Sequence, residues 1–248
     1  MGEVDTPLPS PAEFRTTRWS VVAAAGAAGD DERRRALGTL CEAYWYPVYA
    51  FARRRSGDAD AAADRVQGFF ARLLEKEDFS GADAARGRFR DWLLGAFKHF
   101  DANERAAEHA VKRGGAHGIF SLDGGRAEER FRDEPATDET PEALFERAWA
   151  RTLLEEVVQR LRREYEERDR GAVFARLEGT LLGGGGPGQA EMAAELGISE
   201  GALKVAAHRL RKRFGELLRL EVRDTLGPGG DVEDELRGLL TALSGKGA

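Results

Sequence analysis

Cysteine is almost missing from this chain: Cys41 is the single one in 248 residues. No internal disulfide can form, which suits a reducing compartment, and Cys41 reads as a small core hydrophobe in a helical run. Histidine is sparse too, with four scattered residues and no zinc-ligand spacing, so neither a metal nor a cofactor is expected. A phosphate-binding Gly-Lys-Ser/Thr loop is also lacking. The stretch GGGGPG at 183–188 has no lysine and no strand before it, and it reads as a hinge. Paired carboxylates are plentiful, but on so acidic a helical surface they read as solvated, and no enzyme is expected. No apolar run approaches the roughly 18 residues needed to span a bilayer. The start, MGEVDTPLPSPAEF, has no basic region followed by an apolar one, so the expected location is the cytoplasm, with no membrane partner. β-branched alternation and Asn-Gly hairpin dipeptides are absent as well, which leaves an all-α chain.

What is abundant is charge, and it is segregated. The net charge of -6 argues against a uniformly basic coat. Residues 86–113 nevertheless carry seven Lys/Arg against four Asp/Glu, and residues 199–219 carry six against two. Between them, residues 123–146 carry nine acidic against three basic. Two basic blocks around an acidic one is the pattern expected of two nucleic-acid-facing modules joined by a solvated connector.

Helical periodicity organises the rest. Residues 1–15, with three prolines, read as loosely ordered. The run Thr16-Thr17-Arg18-Trp19-Ser20 offers caps for a short helix to about Ala25. Asp30 or Asp31 opens a long helix with Leu37, Leu40, Cys41, Tyr44, Trp45, Val48 and Phe51 at helical spacing. Ser56-Gly57-Asp58 ends it and caps the next, whose stripe is Ala62, Val66, Phe69, Phe70 and Leu73. A third helix, about Gly87 to Arg113, carries Phe89, Trp92, Leu93, Ala96, Phe97 and Phe100. Residues 16–113 therefore read as one domain, and residues 114–139 as an acidic linker with little periodicity. Thr140-Pro141-Glu142 is a strong helix start and opens a second domain, 140–222. Its long helix runs through Trp149, Leu153, Leu154, Val157, Val158, Leu161 and Tyr165, and a shorter one spans 171–182. Residues 231–248 read as a tail helix. The fold class is thus two small helical domains joined by a linker.

The stretch PGQAEMAAELGISEGALKVAAHRLRKRF, 187–214, has the grammar of a helix-turn-helix. Met192, Ala193 and Leu196 share a face, Gly197 can supply a left-handed turn residue, and Ser199 can cap the following helix. On that helix Leu203, Ala207, Leu210, Phe214 and Leu217 form one stripe. Lys204, Val205, His208, Arg209 and Lys212 lie on or beside the opposite face, as insertion into a major groove requires. A surface helix whose charges serve solubility is the blander reading.

These residues also resemble a family. ISEGALKVAAHRLRKRF is similar to the recognition-helix segment of extracytoplasmic-function sigma factors, members of the sigma-70 superfamily. CEAYWYPVYAFARRRSGDADAAADRVQGFFARLLEK is similar to their polymerase-binding helices, and GRFRDWLLGAFKHFDANERAAEHAVKRGG to their promoter-melting and minus-10 segment. The three motifs stand in the family's order over roughly residues 16–220. The resemblance implies a dissociable initiation subunit that binds core RNA polymerase, through the β′ coiled coil and the β subunit, and promoter DNA. It implies that Asp60, Asp64, Gln67, Phe69 and Phe70 meet the polymerase, although the two phenylalanines read equally well as core. It assigns an extruded minus-10 base and its neighbours to His99 and Asn103, with Phe100 beside them. Arg86, Arg88, Arg90, Lys98, Arg105, Lys112 and Arg113 are candidate phosphate contacts. Lys204, Val205, His208 and Arg209 match positions that meet minus-35 bases, while Ser199, Arg211, Lys212 and Arg213 can hold phosphates. An anti-sigma factor or another regulator is a further partner that the resemblance implies.

The chain also departs from the family. Gly68 stands where a glutamate is usual, Ala206 where an arginine is frequent and His99 where an asparagine is. These changes leave part of the polymerase contact and the promoter sequence open. The linker is longer and more acidic than in a minimal sigma factor and contains the apolar patch Ile119-Phe120-Ser121-Leu122. It reads either as a segment threading the polymerase cleft or as a spacer. The tail helix, with Leu236, Leu239, Leu240 and Leu243, either packs on its own domain, covers a basic face or binds a regulator. Two competing readings remain: a stand-alone DNA-binding regulator using the C-terminal helix pair alone, and an interaction module that sequesters a partner.

Overall fold

A computed structural model describes residues 19, 21–22, 30–76, 82–110, 124–134, 138–181 and 188–245. Every regular element among them is helical, and no strand occurs among the described residues. The helices are α1 (Asp30–Ser56), α2 (Ala59–Lys76), α3 (Phe89–Ala110), α4 (Gly124–Arg132), α5 (Pro141–Glu166), α6 (Gly171–Leu177), α7 (Gln189–Glu195), α8 (Glu200–Thr225) and α9 (Val232–Leu243). The 1–15 segment, most of the 16–25 helix, Lys112, Arg113, the Ile119–Leu122 patch and the 183–187 part of the hinge lie outside the described residues. So does the side chain of Leu37.

Local chemistry sets the helix ends. Gly57 takes a φ of 74° after α1, and Asp58 Oδ1 then accepts from the Ala61 amide at 2.7 Å, satisfying a first-turn donor of α2. Thr140 caps α5 by accepting from Ala143 N at 3.2 Å, with Pro141 in the first turn. Asp231 caps α9 through the amides of Glu233 and Asp234. Proline 47 sits within α1, so the helix continues through a residue that can donate no bond.

The core falls into two clusters that share α5. In the first, α1 is buried nearly all round, from Ala43 through Ala52, by α2, α3 and the first half of α5. A helix so enclosed must be apolar on every side, which its Tyr, Trp, Val and Phe residues satisfy. Phe145, Trp149 and Leu153 of α5 belong to this cluster, as do Val222 of α8 and Leu239 of α9. In the second cluster Val157, Leu161 and Tyr165 of α5 meet Phe174 and Leu177 of α6, Met192 of α7 and Leu203, Leu210 and Leu217 of α8.

Two differences from the sequence expectation follow. Helix α4 lies inside the span read as linker, with Ala127 buried and Phe131 edge-on to Tyr49 at 6.5 Å. The acidic block is, in its described part, not a solvated connector. Glu128 binds Arg53 at 2.9 Å, Glu134 binds Arg147 and Arg151, and Glu139 binds Arg147 at 2.6 Å. Periodicity over nine residues is too short to announce a helix that is held by tertiary contacts, the packing of Ala127 and Phe131 and the Glu128–Arg53 pair.

Candidate nucleic-acid interface

The second basic block forms around a turn. Helix α7 closes with the amide of Ile198 on the carbonyl of Ala193 and that of Gly197 on Ala194, with Gly197 at a φ of 63°. This is the paired closure that a left-handed glycine permits. Ser199 then accepts from the amide of Ala202 at 3.2 Å and starts α8. Its hydroxyl is thus engaged as a cap. Met192 and Ala193 on α7 and Leu203 and Leu210 on α8 are buried together, so the apolar stripe fixes the rotation of α8.

That rotation leaves one face open. Lys204, His208, Arg209, Arg211 and Lys212 are exposed, and Val205 is 50% exposed despite its apolar side chain. Among the described residues Lys204, Arg209, Arg211 and Lys212 meet no carboxylate. Arg213 differs. It makes a two-pronged bond to Glu164 of α5, at 2.7 and 2.8 Å, and a third contact to Glu216. Those bonds hold the Arg213 guanidinium above its usual range and the Glu164 carboxyl below its own. Arg213 consequently anchors α8 to α5, which is a different task from the phosphate contact expected of it.

The first basic block is arranged in the opposite way. Arg90 is only 3% exposed; it lies over the Trp149 ring at 3.9 Å and pairs with Glu146 at 2.9 Å and Glu235 at 2.5 Å. Arg88 pairs with Asp91 at 2.8 Å and with Glu235 at 3.2 Å. Burial opposes its charge, but hydrogen bonds and charges from Asp91 and Glu235 outweigh that and raise its pKa. Lys98 reaches Glu142 at 2.6 Å, and this bond keeps the Glu142 carboxyl below the ordinary range. Arg105 binds Asp101. Arg86 lies 3.6 Å from Asp83, so all five described cations expected on a phosphate backbone have a carboxylate partner in the same chain. His99 and Asn103, one turn apart, remain exposed.

Of the residues expected to meet a polymerase, Asp60 and Asp64 are exposed on α2 and Gln67 is half-buried beside them. Phe69 and Phe70 are not available: at 3% and 2% exposure they pack against Phe97 and Trp45, with ring centroids 5.3 and 5.8 Å apart. The expectation that they contact a partner is corrected to core packing, because reaching a partner would empty the first cluster.

Sequence reasoning missed Glu142, Glu146 and Glu235 as partners of the first basic block, and Trp149 as the platform for Arg90. No local signal identifies them, since Glu235 lies 145 residues from Arg90 in the chain. No described helix is long and apolar enough to cross a membrane, and no group of three metal-ligating side chains occurs among the described residues. Compared with protein-family models, curated proteins and solved structures, the chain matches none.

Proposed function

We propose that this chain is a sigma-type initiation factor: it binds core RNA polymerase, reads promoter DNA at two elements and helps separate the strands. The observation that carries the proposal is the open face of α8. A capped helix, fixed by its apolar stripe and entered through a tight glycine turn, presents four cations without carboxylate partners together with His208 and Val205. A helix-turn-helix reads bases in this way: lysine and arginine donate to guanine acceptors, and an exposed valine can meet a thymine methyl group. The order of the three motifs and the exposed Asp60, Asp64 and half-buried Gln67 on α2 extend the reading to a polymerase partner. In that reading the two helical domains separate on the polymerase, and His99 and Asn103 meet an unstacked base.

A specific observation favours a second reading, a stand-alone helix-turn-helix regulator. With Arg88, Arg90 and Lys98 paired internally, it is α8 that keeps open cations among the described residues of the two basic blocks. Gel filtration of purified core RNA polymerase with the wild-type chain and with an Asp64→Arg/Gln67→Ala variant separates the two. Stoichiometric co-elution that the variant loses is expected for the initiation factor. Duplex binding without co-elution of wild type would establish the regulator instead.

A further inference from the structure

Helices α1, α2 and α3 meet around a cleft of about 300 Å3, apart from the face that α8 presents. Short side chains, Ala52, Ala61 and Ala62, leave the space. Three arginines line it, Arg55 at the end of α1, Arg65 on α2 and Arg105 on α3. All three converge on a single buried carboxylate, Asp101, with Nε atoms at 3.7, 3.4 and 3.1 Å respectively. Asp101 Oδ2 lies within ion-pair reach of Arg55 and Arg105 yet accepts no hydrogen bond.

The donors outnumber the acceptors. A guanidinium has five N–H groups in a rigid fork, and a carboxylate about four acceptor sites, so one aspartate cannot saturate the forks of Arg55 and Arg105. The side chains of Arg55 and Arg105 remain 38% and 40% exposed. Two acids near the cleft are committed elsewhere: Asp58 caps α2 through Ala61 N, and Glu142, which feels the charge of Arg55, is bonded by Lys98. Along α3, at about 100° per residue, His99 and Asn103 point roughly 120–160° away from Asp101 and Arg105, so the cleft is a separate surface.

We propose that this cleft is a phosphate-binding site. Arg55 and Arg105 grip the phosphoryl oxygens with Arg65 behind them, and Asp101 is the internal counter-ion that holds the three forks in place. Planar forks of this kind match phosphate two bonds at a time. The volume admits a free di-phosphate or one phosphate of a nucleic-acid backbone. The site does not depend on the sigma-type reading, and polymerase co-elution tests that reading independently.

The experiment uses the full chain, titrated by calorimetry with inorganic pyrophosphate and by fluorescence anisotropy with a short single-stranded DNA. Wild type is compared with Arg55→Gln and Arg55→Lys, because Arg55 is partly exposed and its replacement should leave the melting temperature unchanged. Arg55→Gln is expected to weaken binding about tenfold, the loss of one charge-assisted pair, with Arg55→Lys in between. Pyrophosphate binding that depends on Arg55 identifies a free phosphate compound. Dependence seen with the oligonucleotide alone identifies a backbone phosphate. If wild type binds neither probe, or Arg55→Gln binds both as well as wild type, the proposal is overturned.

Discussion

Helix α9 carries two glutamates, two positions apart, that make ion pairs of opposite character, and replacing each with glutamine should separate burial from proximity. Glu235 pairs with Arg90 at 2.5 Å and Arg88 at 3.2 Å, and the side chains of Glu235 and Arg90 are 6% and 3% exposed. Glu233 pairs with Arg219 at 3.0 Å, a similar distance, but those side chains are 60% and 52% exposed. Water screens the second pair, so its removal should change stability by no more than about 0.5 kcal/mol. Removing Glu235 leaves the buried guanidinium of Arg90 on Glu146 and the Trp149 face alone, and a broken buried pair costs about 3–5 kcal/mol. In a chain of this size about 1 kcal/mol moves the melting midpoint by roughly 2–4 °C. The midpoint of thermal unfolding followed by circular dichroism should therefore drop by roughly 6–20 °C for Glu235→Gln and by no more than about 2 °C for Glu233→Gln. Equal midpoints for the two variants would refute the claim that α9 is held by a buried charge cluster.

Three further outcomes are expected. Burial, then the charges of Glu221, Glu155 and Glu42, pushes the Glu156 carboxyl up to about 8. Its protonated form is the folded one, so this contribution is complete below the ordinary carboxylate range and is lost as pH rises through about 8. Urea denaturation between about pH 6 and about pH 9 should show wild type losing at most about 3 kcal/mol more than Glu156→Gln, two units at about 1.4 kcal/mol each; parallel profiles would contradict the assignment. Arg209→Ala and Lys212→Ala should each weaken duplex binding and lower the salt-dependence slope by about one, with melting unchanged. An unaltered slope in both would remove α8 from the interface. Burial, then the charge of Glu42, pushes the Cys41 thiol up to about 12, so a thiol reagent at about pH 8 should label it only after unfolding; prompt labelling of the native chain would disprove its burial.

Where a helix begins is a local question, and the sequence answered it well. Thr140-Pro141 and Ser199 cap α5 and α8 as their side chains predict, because capping needs only a hydroxyl or carboxylate within three residues of an orphan amide. The open face of α8 was legible for the same reason: a stripe repeating at helical spacing fixes which side must be buried and which must not. Phe69 and Phe70 show the limit of such reasoning. Periodicity places them on an apolar face, but only the arrival of Trp45 and Phe97 decides that the face is covered.

Charge needed the tertiary structure most. The basic block at 86–113 and the acidic one at 123–146 can be counted in the sequence, but counting cannot tell solvated carboxylates from paired ones. Folding brings Glu142, Glu146 and Glu235 onto Lys98, Arg88 and Arg90 and leaves Lys204, Arg209, Arg211 and Lys212 open. By itself the sequence determined an all-helical chain, its caps and the two faces of α8, all set by interactions within a few residues. Which cations stay exposed, which are neutralised and which converge on Asp101 was decided only in three dimensions, because Coulomb attraction depends on distance and burial rather than on separation along the chain.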